Sequence, residues 1–419
     1  MYSLPIEANL DVLKCLNFNQ LFFVKQVNRY FSSFIGKYEG ELARKFFKYM
    51  EPIELKGFYY QHERENGQLD YKIVSPQELG RYVVHSPVDN ELLEKQCIIQ
   101  DLLVVGPVIS RVTVRTLKYP DMSACPEFSN KPFVFFQWQF AIDKQIRLYS
   151  YSRCWGRSKY YHYLRLTDGI NFKINIVNPK LFLESRHLLL QLPPYPKNIE
   201  ELQIIRLWLL QLFKCFFEQA KLTRATFNPL LIKLLFDNDK TISTKFQTER
   251  AMTTSDIPLL TDTFKNNILI LGSLEIQCDH HSFAQYDVLF HLFTTVRIPC
   301  VFLNHAMDFT IADVSPYKSI MKYIETSTDF HLMVDKFKFH YLTWRDFTMS
   351  ERAENVEKKR VNGFNFVKYE LSNIHNQNVK FLVQWIHKDN FDVYVPPCIL
   401  IERMKGQEIK SLLDEYNLN

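Results

Sequence analysis

Apolar residues at helical spacing open the chain. In the run Leu4-Pro5-Ile6-Glu7, Pro5 suits the first turn of a helix, and Ile6, Leu10 and Leu13 then recur one turn apart, with Leu16 a turn further. Asn17 ends that helix and Asn19 can cap the next, whose stripe is Leu21, Val24 and Val27. Asn28 can cap a third helix carrying Tyr30, Phe31, Phe34 and Ile35, with Gly36 or Gly40 placed to close it. The pattern predicts three short helices on tight turns. A segment of about 40 residues needs a staple or a partner to fold, and this one holds a single cysteine, Cys15. Phe18, Phe22 and Phe23 lie beside the stripes, an apolar surplus that suggests a second protein surface.

Further on the period changes. Residues 102–177 alternate with period two: Val134, Phe136, Trp138 and Phe140 fall on one predicted strand face, and Ile170, Phe172, Ile174 and Ile176 on another. Asp168-Gly169 between residues 161–167 and 170–177 is a two-residue hairpin signal, so an antiparallel sheet is expected, buried on one face and wet on the other. Pro193-Pro194-x-Pro196 can continue neither a helix nor a central strand, and it marks a linker. Beyond it, helices are predicted at residues 199–222 and Pro229–Phe236. Strands at 245–249, 274–277, 301–303 and 337–341 then alternate with helical runs at 286–293 and 317–324. Intervals of roughly thirty residues suit a stacked strand–helix unit. Both a leucine-rich-repeat-like part and a non-repetitive α/β layer with a mostly parallel sheet meet that requirement. Residues 361–372 and 379–388 read as an antiparallel pair closing the sheet. The expected class is α+β or α/β. A small N-terminal helical segment occupies 1–48, a β-rich middle part 49–193, and a strand–helix part 194–419.

Composition narrows the function. With 47% hydrophobic and 23% charged residues the chain is globular. Its 35 Phe and 22 Tyr fill cores and can furnish an aromatic binding surface, and its 11 glycines argue against a glycine-loop nucleotide enzyme. A net charge of +5 is too mild to imply nucleic acid by itself. Eight scattered cysteines without a C-x-x-C read as reduced and intracellular, cytoplasmic or nuclear. Glu7 and Asp11 interrupt any early apolar run, so no signal peptide is expected. The most membrane-like stretch, residues 199–217, carries Glu200, Glu201, Arg206 and Lys214, whereas about 20 apolar residues are needed to span. No membrane association is therefore expected.

Candidate chemistry is sparse. Between Lys144 and Lys173, seven basic residues face one acidic residue, Asp168, and tyrosines and a tryptophan are interleaved. Arg147, Arg153, Trp155, Arg157, Lys159, Tyr161 and Arg165 make this a candidate patch for a target protein. Nucleic acid, held by phosphate contacts and base stacking, is the lesser reading. The tyrosines also suit a plain solvated sheet face. Cys278-Asp279-His280-His281, with His291 and Cys300 nearby, is the nearest approach to a metal set, but zinc ligands come in spaced, converging pairs, and adjacent histidines at a strand end point apart. No metal or cofactor is assigned. Neither G-x-S-x-G nor H-E-x-x-H occurs, His62, His162 and His340 have no evident carboxylate partner, and no catalytic residue is assigned.

The N-terminal segment carries one resemblance. Leu4-Pro5 at a helix start, Leu16-Asn17 closing the first helix, Leu21-x-x-Val24-x-x-Val27-Asn28-Arg29 and the aromatic Phe31 together resemble the F-box. The continuation Lys37-Tyr38-Glu39-Gly40-Glu41-Leu42-Ala43-Arg44 is similar to a large nematode class of F-box proteins, and Asp237-Asn238-Asp239-Lys240-Thr241 and residues 350–356 extend the likeness more loosely. The family's common tryptophan is replaced by Phe31, and its acidic residue after the first helix by Asn17. The resemblance implies a non-catalytic substrate-receptor subunit of an SCF-type ubiquitin ligase. It would dock on a Skp-family adaptor, and through it a cullin, and present a target protein of unspecified identity. Leu4, Pro5, Ile6, Leu10, Leu13, Leu16, Leu21, Val24 and Val27 would be the adaptor contacts or their immediate support. The alternatives are an interaction module outside a ligase, an RNA binder using residues 144–173, or an ordinary helical cap on the chain's own domain.

Overall fold

A computed structural model describes residues 5–16, 18–38, 41–54, 71–74, 132–151, 161–168, 187–223, 225–237, 242–254, 260–278, 286–305, 315–340, 349–388, 397–405 and 411–416. The chain divides into two compact units that interleave along the sequence. Unit 1 takes Met1–Tyr149, Ser158–Glu218 and Phe227–Gln247, and unit 2 takes Ser150–Arg157, Gln219–Thr226 and Thr248–Asn419. The architecture is mixed α+β.

Unit 1 begins with α1 (Ile6–Lys14), α2 (Phe18–Val27) and α3 (Arg29–Lys37). The Asn28 side chain caps α3 by accepting from the Phe31 N–H at 3.0 Å, which satisfies one of the free donors of the first turn. Leu13, Leu21, Phe34, Ile35 and Leu42 close on one another, with Leu10, Leu16, Val24 and Tyr38 at the margin. Gly36 lies inside α3 and does not end it.

The strands of unit 1 are β1 (Lys45–Glu54), β2 (Tyr71–Val74), β4 (Tyr161–Asp168), β5 (His187–Gln191) and the first half of β6 (Cys215–Leu222), in the order β6-β1-β4-β5-β2. β4 is antiparallel to both β1 and β5, while β2 runs parallel to β5. Two three-residue strands, β3 (Tyr149–Tyr151) and β7 (Ala225–Phe227), pair with each other. The hairpin expected at Asp168-Gly169 and the strand at 170–177 lie outside the described residues.

Two expectations are corrected in unit 1. The run with Val134, Phe136, Trp138 and Phe140 is not a strand but part of α4 (Pro132–Asp143). Its sequence is apolar on nearly every position, which hides the period. Among its described side chains, Trp138 and Ala141, three apart, are buried, and Gln139 Nε2 donates to Asp143 Oδ1 one turn on at 2.8 Å. The helix expected at 199–222 stops early. α5 covers Ile199–Phe213, capped by Asn198, and the chain continues as β6, with Cys215, Phe217, Ala220 and Leu222 buried. An apolar run continuing across Lys214 carries no local signal of that switch. α6 (Pro229–Phe236) forms as expected, with Asn228 as its cap and Pro229 in its first turn. Rings from Tyr149, Phe213, Phe227, Phe236 and Phe246 meet stacked, tilted or edge-on to fill this core. The Pro193-Pro194-x-Pro196 stretch lies within unit 1 between β5 and α5, where the Pro194 carbonyl accepts from the Leu148 N–H at 2.9 Å.

Unit 2 holds residues 248–254 of β8 (Phe246–Thr254), then α7 (Leu260–Asn266), β9 (Ile268–Cys278), α8 (Tyr286–Thr295), β10 (Cys300–His305), α9 (Ser315–Thr326) and β11 (Lys336–His340). β12 (Glu354–Val361), β13 (Phe364–Ser372), β14 (Lys380–Lys388), β15 (Cys398–Arg403) and α10 (Leu412–Glu415) follow. The strand order is β12-β13-β14-β15-β11-β10-β9-β8. β9, β10 and β11 are parallel, joined through α8 and α9, and β11-β15-β14-β13-β12 is antiparallel throughout. The strand–helix alternation read from the sequence therefore holds from β9 to β11, and a meander replaces it beyond. The strand expected at 361–372 is interrupted: Asn362 and Gly363, with φ of 52° and 81°, form the two-residue turn between β12 and β13. No helix among the described residues is long and apolar enough to cross a membrane.

The alternation of β9, β10 and β11 separates two faces. Leu274, Val301 and Phe337 share one row and Ile276, Leu303 and Phe339 the next, all at most 1% exposed. α8 and α9 cover this face, with Phe293 edge-on to Phe337 and Tyr317 edge-on to Phe339. The opposite face carries rows of Ser273, Cys300 and Lys336, of Glu275, Phe302 and Lys338, and of Gln277, Asn304 and His340. Beyond β11 that face becomes apolar, and Leu400 and Cys398 pack with Leu412 and Leu413 of α10.

Candidate functional site

Among the described residues, two places could bind something: the N-terminal helices and the polar sheet face of unit 2.

The helices sort the sequence-predicted contacts into two groups. Leu13 and Leu21 are fully buried in the three-helix core, and Leu10, Leu16 and Val24 pack against it. Their first duty is to hold the helices together. Pro5, at the start of α1, is exposed, as are Ile6 at 51% and Val27 at 68%. Val12, Phe23 and Tyr30 are further exposed large apolar residues on the same helices. Leu4 lies outside the described residues. Exposed apolar side chains concentrated on one small element are what a protein docking surface presents.

The basic-aromatic stretch is brought together only in part. Arg147 is exposed, with its guanidinium over the Tyr195 ring at 5.0 Å. Arg165 forms a close ion pair with Glu51, both side chains being largely buried across the β1–β4 register. Its charge is neutralised within the sheet. Tyr161 opens β4 opposite Glu54. Arg153, Trp155, Arg157 and Lys159 lie outside the described residues.

The polar face of unit 2 holds a pocket of about 340 Å³, lined by Gln219, Arg250, Met252, Glu275, Phe302, Asn304 and His340, among others. β9 is central to it, which puts Glu275 in the middle, between Arg250 and Met252 on β8 and Phe302 and Asn304 on β10. Asn304 Nδ2 donates to Glu275 Oε1 at 2.7 Å and so fixes the carboxylate. Glu275 pairs with no cation among the described residues. The neighbouring lysines do have counter-ions: Lys336 meets Glu402 at 3.0 Å and Lys338 meets Glu415 at 2.5 Å. Burial pushes the His340 imidazole down to about 4, helped by Lys338 and opposed by Glu415, so it is neutral at pH 7. Burial likewise pushes the Cys300 thiol up to about 11, which leaves it protonated and unreactive. Close approach of β8 and β9 depends on Gly272, on the face opposite Glu275, where a Cβ would stand 2.5 Å from Glu249 Oε1 and 2.8 Å from its backbone oxygen.

Sequence reasoning did not find this pocket. His340 was the one member singled out, on the observation that no carboxylate neighboured it in sequence. The signal that could have found it is period two in three separate strands, which places Glu275, Phe302, Asn304 and His340 on the face opposite Leu274, Val301 and Phe337. No group of residues suited to hold a metal ion occurs among the described residues, and Asp279, His280 and His281 lie outside them.

Residues 132–279 match a domain of unknown function, DUF8381. The match includes Gln219, Arg250, Met252 and Glu275 of the pocket and stops before Phe302, Asn304 and His340. No curated protein and no solved structure matches the chain.

Proposed function

We propose that the chain is a non-catalytic substrate receptor of an SCF-type ubiquitin ligase, acting in the cytoplasm or nucleus. Residues 1–48 would dock on a Skp-family adaptor and through it on a cullin, while residues 49–193 and 194–419 would hold a target protein. The carrying observation is the division of labour in α1–α3. Leu13, Leu21, Phe34 and Ile35 are spent on an internal core, and Ile6, Phe23 and Val27 remain exposed beside it. A self-contained cap would turn its largest apolar side chains inward, whereas a docking element keeps some outward. The F-box-like motif supplies the identity of the partner. Mechanistically the receptor does no chemistry: it raises the effective concentration of target lysines near a charged ubiquitin carrier. A leucine-rich-repeat-like target-binding part would rest on β9–α8–β10–α9–β11.

The test is co-purification of the full chain with a Skp-family adaptor. Ile6→Asp combined with Val27→Asp changes only exposed positions, so helical content is expected to persist while adaptor capture falls at least tenfold. Capture unchanged in that variant, with Leu13→Ala as the control for a loosened core, overturns the proposal.

A further inference from the structure

The pocket on the polar face of unit 2 has a specific electrical character. The lysines beside it are cancelled in pairs, Lys336 by Glu402 and Lys338 by Glu415. Glu275 has only the Asn304 amide on one of its oxygens. Also lining the pocket are a phenyl ring (Phe302) and the thioether of Met252, whose sulfur accepts from Gln219 Nε2 at 2.6 Å. A carboxylate beside an aromatic wall receives a cation with an apolar stem, because the carboxylate attracts the charge while the stem packs on the ring. Arg250 is exposed, on β8. A carboxylate beside an aromatic wall matches one basic side chain of an extended segment. The volume, about 340 Å³, is at the small end of ligand sites and suits one such side chain better than a cofactor.

We propose that this pocket binds a single arginine or lysine side chain of the target protein, with Glu275 as its counter-ion, Phe302 as its packing wall and Asn304 positioning the carboxylate. The occupant's being a target segment rests on the receptor reading above, whereas the preference for a basic side chain rests only on the pocket.

The experiment uses the full chain and two probes, N-acetyl-arginine amide and its neutral isostere N-acetyl-citrulline amide, titrated by ligand-observed NMR. Saturable binding of the arginine probe is expected, at least tenfold tighter than the citrulline probe. Glu275→Gln keeps an oxygen for Asn304 and so preserves the local hydrogen bond, and it is expected to remove that tenfold preference. Phe302→Leu is expected to weaken the arginine probe several-fold. Equal binding of both probes, no saturable binding, or an unchanged preference in Glu275→Gln each overturns the proposal. The Ile6→Asp, Val27→Asp variant separates the two readings. It is expected to lose the adaptor and keep arginine binding, whereas a chain that binds arginine but never captures an adaptor retains the pocket and loses the ligase assignment.

Discussion

Asn373 closes the connection between β13 and β14, and its amide ties that turn to the end of α9. The residue is fully buried. Its Nδ2 donates to the carbonyls of Ile324, Glu325 and Ser327 at 2.8, 3.0 and 3.0 Å, and its Oδ1 accepts from the N–H groups of His375 and Asn376, both at 2.9 Å. The carbonyls at the end of a helix have no partner within it, and one side chain here satisfies three at the C-terminal end of α9 while ordering the turn that follows β13. Removing it by Asn373→Ala strips four backbone groups of a partner and leaves the Glu325 carbonyl with the Ile374 N–H at 2.9 Å alone. At about 1 kcal/mol net for each bond, with some of the part-buried carbonyls recovering water, the loss is roughly 3 kcal/mol. Asn373→Asp separates the amide's two duties. It keeps the volume and the Oδ1 bonds, but replaces the donor with an anionic oxygen facing three carbonyls. The cost is therefore expected to match or exceed that of alanine, roughly 3–5 kcal/mol at pH 7. Urea denaturation followed by circular dichroism measures the difference, and amide exchange over residues 315–326 locates it. If Asn373→Asp proved within about 1 kcal/mol of the parent, or clearly more stable than Asn373→Ala, the donor bonds would not be what holds the end of α9.

Two further predictions concern the pocket and its frame. Because the folded-state pKa of His340 is lowered to about 4, the unfolded chain binds the proton first as the pH falls, and stability drops between roughly pH 6.5 and pH 4. At about 1.4 kcal/mol per unit the full loss is about 3.5 kcal/mol, and His340→Gln should flatten that part of the stability curve relative to the parent; an unchanged slope would remove His340 as its source. Gly272→Ala places a methyl against the Glu249 backbone oxygen, which cannot swing away as a side chain can. A loss of about 1–3 kcal/mol is expected from such overpacking, read as a lowered urea midpoint, and a neutral result would mean that β8 and β9 separate freely.

Local physics explains what was legible in the chain. Pro229–Phe236 announces itself through Asn228 and Pro229, because caps and first-turn prolines act over four residues. The strands at β8–β11 and the helices α8 and α9 are legible for a similar reason, since short apolar runs separated by polar stretches need no knowledge of their partners; α7 carries no such run. The segment at Pro132–Asp143 and the one continuing past Lys214 are apolar at nearly every position, which erases the period that distinguishes helix from strand. Their state is set by what they pack against.

The candidate sites divide in the same way. In the N-terminal segment, residue spacing fixes where the helical stripes fall and which motif they resemble. That Leu13 and Leu21 serve the internal core while Ile6 and Val27 face outward is settled by packing, because a stripe does not say which of its members another helix will cover. The pocket required still more. Glu275 and Asn304 are 29 residues apart, and they meet because β9 and β10 pair in one parallel register. A shift of one residue in that register would send Glu275 and Asn304 to opposite faces of the sheet. Which residues share a face was written in the alternation of each strand; which faces meet was decided by the pairing of the strands.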